Sequence, residues 1–172
     1  KLLYMADQSL PIVHSPAPMM GGTAPVTLGG GRVLGMLNVL GSSLMHQSDV
    51  YLPLACGYEI SVPATKTFTN QVVAFLFLAL RMGEHGTQDL ARLPGLLEQT
   101  LATVEPQVAA LESSLADKDD LYCLGYGLTY PIALEGALKL KEVTYAHCEG
   151  ILSTEFKHGP LSAVYDGYPV FF

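Results

Sequence analysis

The sequence predicts an α/β fold built on a doubly wound parallel sheet, and three observations carry that prediction. Residues Arg32–Val39 read as a continuous apolar strand, the pattern of a strand covered on both faces. Residues 121–144 read as a strand, a glycine turn and a helix opened by Pro131, the ingredients from which such sheets are assembled. Of the 172 residues, 49% are apolar and only 15% are charged, a composition that fills a core and excludes a disordered tail.

Taken in order, the elements start after an irregular opening. From Gln8 to Gly31 there is no Asp, Glu, Lys or Arg, yet four prolines and five glycines interrupt the run and bar a spanning helix. Residues 1–31 are therefore expected to be unassigned, disordered or foreign to the fold. The strand at 32–39 follows, and then a shorter one at Val50–Leu54, whose Pro53 places it at an edge. A largely apolar helix runs from Thr65 to Met82, with Gly83 as its stop. Its uncharged stretch, Thr67–Leu80, falls short of the ~20 residues a bilayer requires. Such a helix packs on a sheet or on a partner subunit.

Residues 84–120 hold eight acidic and two basic side chains, the mark of a solvated connector. Within them Leu93, Leu96, Leu97, Leu101, Val104, Val108 and Leu111 recur at three- and four-residue steps, the stripe of an amphipathic helix. Pro106 is expected to kink or restart it. The last part reads as strand (Leu121–Leu124), helix (Pro131 to about Thr144), irregular polar run, and strand (Tyr168–Phe172).

Composition also narrows the function classes. The formal net charge of −7 gives no basic footprint for nucleic acid. Cys56, Cys123 and Cys148 are odd in number and form no CxxC, which argues against a disulfide framework or structural zinc and for a reducing compartment. No basic region followed by a compact apolar one marks a secretory signal.

Three constellations are candidates for chemistry. Glu135, Lys139 and Glu142 stand four and seven residues apart, which keeps them in one sector of a helix opposite Ala133, Ala137 and Leu140. A carboxylate beside an ammonium on a partly buried face is a proton-transfer pair. The same spacing also describes an exposed Glu-to-Lys pair that merely supports the helix. His158 sits in Glu155-Phe156-Lys157-His158-Gly159-Pro160, where Gly-Pro presents the ring at a loop tip, or where it is an ordinary loop histidine. His147 reads as a packed or hydrogen-bonded helix residue. The loop Gly57–Lys66 enters the apolar helix and offers backbone N–H groups to an anion, or is simply capped by Thr65. Gly125-Tyr126-Gly127 lacks the later glycine of a dinucleotide fingerprint, which discounts a nucleotide site.

The strings are more specific together than apart. ALEGALKLKEVTYAHCEGILSTEFKHGPL at 133–161 resembles the isomerase half of the glutamine–fructose-6-phosphate aminotransferases, which is made of two sugar-isomerase (SIS) domains. LGMLNVLGSSLMHQSDVYLPLACGYEISVPATKTFTNQ at 34–71 is similar to the closing part of the first of those domains. The resemblance implies a three-layer α/β/α, flavodoxin-like parallel sheet in two incomplete domains: residues 32–86 closing the first, 87–120 a helical acidic linker, and 121–172 opening the second. It also implies a site. The carboxylate matching Glu142 moves a proton between C1 and C2 of the sugar, and Lys139 assists at the sugar oxygens with Glu135 beside it. The histidine matching His158 helps open the sugar ring and comes from the neighbouring subunit of a homodimer. The loop matching Val62 to Ala64 lines the sugar phosphate. No metal or cofactor is implied, and the location is cytoplasmic.

Departures from the family pattern set further expectations. The glutaminase domain and the Ser-Gln-Ser-Gly-Glu-Thr phosphate loop are absent, and Ala64 stands where many relatives carry serine. The chain ends before the carboxy-terminal Schiff-base lysine, so these 172 residues alone are expected to be inactive. Two other readings stay open: a stand-alone SIS deaminase or deglycase for amino-sugar phosphates, and a SIS module that binds a sugar phosphate without turning it over.

Overall fold

The computed structural model describes residues 3–5 and 31–172. It divides into two compact units, one ending at Ala91 and one starting at Arg92. Both are built on parallel strands, as the apolar runs predict.

In the first unit, β1 (Leu3–Met5), β2 (Leu34–Leu37) and β3 (Val50–Pro53) form a three-stranded sheet in that order. Both pairings are parallel, Leu3 standing opposite Leu34 and Leu34 opposite Val50. The central strand is the buried one: Met36 and Leu37 face opposite sides of it, yet both are almost wholly buried. That is the physical meaning of its continuous apolar run. Among the described residues β3 lies at the edge, as Pro53 implies, and leaves Val50 and Tyr51 half exposed. A short helix, α1 (Ser43–Gln47), joins the two, with the Ser42 hydroxyl accepting from the Met45 N–H. β1 falls inside the segment expected to stand outside the fold, and its three residues pair with β2. The rest of that expectation, residues 1–2 and 6–30, lies outside the described residues.

Helix α2 (Lys66–Met82) ends at Gly83, as expected, whose N–H donates to the Ala79 carbonyl. The left-handed turn comes one residue later, at Glu84, with φ 58°. Its start departs from the sequence reading: Thr65 has helical dihedrals and its side chain caps nothing.

The second unit opens with α3 (Leu93–Leu115), one helix that runs through Pro106 rather than restarting there. No residue of α3 is buried, and Leu101 and Val108 of its stripe are more than half exposed. Next come β4 (Asp120–Gly125), α4 (Tyr130–Thr144), β5 (His147–Leu152) and β6 (Val170–Phe171). The sheet order is β5-β4-β6, all parallel, with Leu121 opposite Cys148 and Tyr122 opposite Val170. β5 corrects the irregular polar run expected at its place. His147 and Glu149 face out while Cys148 is fully buried, so a strand's alternation was present there.

β4, α4 and β5 thus make a βαβ unit with a small, tight core. Leu121, Cys123, Ala137 and Cys148 pack together, joined by Ala133, Leu140, Ala146 and Phe171. Two glycines allow the close approach. A Cβ on Gly125 would stand 2.5 Å from the Thr129 carbonyl oxygen, and one on Gly150 would stand 2.7 Å from Leu134 Cα. The three cysteines are free thiols, and burial raises the Cys123 and Cys148 pKa values above that of an ordinary thiol. No helix of the described residues is long and apolar enough to cross a membrane.

Candidate functional site

Helix α4 is the element that positions the strongest cluster. Pro131 stands in its first turn, where its missing N–H costs nothing, and Tyr145 ends it in the left-handed conformation at φ 61°. Ala133, Ala137 and Leu140 turn toward β4 and β5, as the sequence predicts. That fixes the rotation of the helix and sets Glu135, Lys139 and Glu142 together on another face.

The Lys139 ammonium lies between the two carboxylates, 2.6 Å from Glu142 Oε2 and 3.6 Å from Glu135 Oε1. All three side chains are largely covered, with relative exposures of 20% for Lys139, 25% for Glu135 and 16% for Glu142. They are therefore partly covered rather than freely solvated. Burial by itself lowers the Lys139 pKa, but the hydrogen bond to Glu142 and the two negative charges outweigh it, and the net shift is upward. A firmly charged ammonium thus holds one carboxylate in a short, charge-assisted hydrogen bond. Such a group can orient that carboxylate and screen negative charge on an adjacent oxygen.

His158 closes a 3₁₀ turn, Phe156–His158, and is exposed. Its backbone N–H donates to the Glu155 carbonyl, and Gly159 follows at φ 157°. Among the described residues no hydrogen bond or ion pair joins its ring to Glu135, Lys139 or Glu142. The turn is anchored by its neighbour instead: the Phe156 ring meets Tyr122 of β4 edge-on at 5.3 Å. His147 is not a helix residue. It opens β5, exposed, with its ring 3.3 Å from Asp120 Oδ1 and 3.0 Å from Glu149 Oε1.

Val62 and Ala64 belong to the first unit, on the loop between β3 and α2. Ala64 is buried and Val62 half exposed. The anion at the start of α2 is the protein's own. Glu59 Oε1 accepts from the Thr67 N–H at 3.0 Å and from the Thr67 hydroxyl at 3.3 Å. Beside it, Asn38 donates to the Gly57 carbonyl at 2.6 Å and accepts from the Cys56 N–H, tying the loop to the end of β2. A cavity of about 350 Å³ opens here, lined by Asn38, Val39, Leu40, Gly57, Tyr58, Glu59 and Thr67. Nothing in the sequence spacing pairs Glu59 with Thr67; only an acidic residue upstream of a helix start hinted at it. No group of His, Cys, Asp and Glu among the described residues could hold a metal ion.

Residues 114–172 match the family model described as the SIS domain. That match spans about a third of the chain. The SIS match begins in the last turn of α3 and takes in β4, α4, β5 and β6, so it contains Glu135, Lys139, Glu142 and His158. Beyond it, the chain is similar to proteins named glutamine–fructose-6-phosphate aminotransferase [isomerizing]. It is 46% identical over 145 residues to that of Aquifex aeolicus, and 38% identical over 141 residues to that of Sulfurisphaera tokodaii. Each comparison takes in 82% of the chain, which spans 24% of either relative. Among solved structures, the C-terminal domain of glucosamine-fructose-6-phosphate aminotransferase from Francisella tularensis superposes with a TM-score of 0.74 at 29% identity. That likeness covers 98% of this chain and 49% of the other. The α/β parallel-sheet fold predicted from the sequence is therefore the SIS fold.

Proposed function

We propose that the chain is part of a sugar-phosphate isomerase that makes glucosamine 6-phosphate from fructose 6-phosphate, with nitrogen drawn from glutamine. The observation that carries this reading is the largely covered Glu135–Lys139–Glu142 cluster, set inside a SIS domain in a chain similar to proteins of that name.

In this reading Glu142 removes the proton at C1 and returns it at C2, a role that suits a carboxylate held against a cation. Lys139 keeps Glu142 aimed and supports charge developing on the sugar oxygens, while Glu135 fixes Lys139 from the other side. His158 helps open the sugar ring from the neighbouring subunit of a homodimer, which suits its exposure and its lack of a hydrogen bond or ion pair to the cluster. Val62 to Ala64 line the phosphate. The reaction uses no metal and no redox cofactor, and it runs in the cytoplasm without membrane or nucleic-acid partners. Residues 32–86 close a first SIS domain, residues 87–120 link, and residues 121–172 open a second.

The test is to supply the full-length protein that carries this chain with fructose 6-phosphate and glutamine, and to assay glucosamine 6-phosphate. The reading predicts glutamine-dependent synthesis. Release of ammonia from glucosamine 6-phosphate without any use of glutamine would instead establish the amino-sugar-phosphate deaminase, and binding without turnover would establish a sensor.

A further inference from the structure

Two consecutive residues, Tyr58 and Glu59, are fastened to two consecutive residues, Lys66 and Thr67, each across eight positions. The Lys66 ammonium donates to the Tyr58 carbonyl at 2.6 Å, and Glu59 Oε1 takes both the N–H and the hydroxyl of Thr67. Thr67 is 5% exposed, so its hydroxyl has no ready exchange with solvent. The loop between these ties is otherwise poorly supported: Ile60 is 97% exposed and Val62 53%, and only Ala64 is buried. Its shape is therefore set at the neck, not by packing of its tip. Thr65, the residue placed to cap α2, does not do so, which leaves the carboxylate eight residues upstream of Thr67 in that role.

The geometry points to Glu59 as a positioning residue, whose carboxylate closes the neck of the 60–65 loop and holds Val62–Ala64 in the shape that receives the sugar phosphate. This rests on the reading above that the loop lines the phosphate. A loop already closed spends no binding energy on being ordered, so opening it weakens substrate binding more than the chemical step.

The test uses the full-length protein with Glu59→Ala, Glu59→Asp and Glu59→Gln. Loss of a cap of this kind corresponds to roughly a five- to tenfold rise in KM for fructose 6-phosphate in Glu59→Ala, with kcat changing less. Trypsin should also cut after Lys66 faster, because the neck no longer holds that residue. Glu59→Asp keeps the charge but falls a methylene short, and should follow alanine; it serves if the alanine variant does not fold. Glu59→Gln keeps an acceptor oxygen in place, and should restore both KM and resistance to trypsin. Cleavage after Lys66 that stays at the wild-type rate in Glu59→Ala and Glu59→Asp overturns the latch. Faster cleavage with KM unchanged, or a fall in kcat alone, overturns the positioning role. If the wild-type protein does not bind fructose 6-phosphate at all, the substrate reading fails, and with it the role in substrate binding, while the cleavage rates still decide the latch.

Discussion

Lys139 is the residue on which the cluster turns. With its ammonium between Glu135 and Glu142, the charges alternate; without it, two carboxylates share one partly covered face. Lys139→Met should therefore lower stability at pH 7 by about 1 kcal/mol, which denaturant unfolding of the variant beside the wild type checks. The sign at alkaline pH follows from the raised Lys139 pKa. Its contribution is complete below the unfolded lysine value of ~10.4 and is lost as pH rises through the higher folded value. At this scale the sequence was informative where partners share a helix. Spacings of three, four and seven placed Glu135, Lys139 and Glu142 together because a helix has one geometry. Glu59 and Thr67 escaped because their pairing depends on how a loop folds back, for which no period exists.

Among elements, the aromatic layer behind the His158 turn has the clearest consequence. Tyr122 stacks on Tyr168 at 5.2 Å and meets Phe156 edge-on, and Tyr165 meets Tyr168 edge-on at 5.0 Å. β4, the 156–158 turn and the approach to β6 are thereby pinned to one another. Burial, followed by the neighbouring Tyr122 and Asp120, pushes the Tyr168 phenol up to about 12. An unfolded tyrosine ionises near 10, so the unfolded chain loses this proton first as pH rises. The group's contribution is full below about pH 10 and is lost between about 10 and 12. Tyr168→Phe should flatten the fall in unfolding midpoint across that window; an unaltered slope would show that the phenol is not held neutral by the fold. The elements themselves were legible in proportion to their apolar continuity. β2 and β4 stand out because both faces are covered. β5 was missed because a buried cysteine, a glycine and two exposed polar residues make a weak alternation. Pro106 does not restart the helix: a proline costs roughly 3 kcal/mol in an average helix interior, which a helix of 23 residues can carry.

For the whole molecule, the apolar stripe of α3 and parts of α2 (Val72, Leu76 and Phe77) stay substantially exposed, and His158 has no tie to the α4 cluster. All three features suit an assembly that completes the site, so the full-length protein should be a dimer by light scattering at micromolar concentration. A monodisperse monomer there would argue against a shared His158. Under the proposed function, Glu142 is a proton-transferring carboxylate and not a helix-supporting one. Glu142→Gln keeps the shape and a partner for Lys139 but cannot accept the C1 proton, a function commonly worth ~10²–10⁴ in rate. The direct measurement is turnover and fructose 6-phosphate binding of the full-length Glu142→Gln protein beside the wild type. Turnover should fall by about that factor, with binding retained within about tenfold. A variant that keeps more than about half of wild-type turnover would mean that Glu142 only braces its helix.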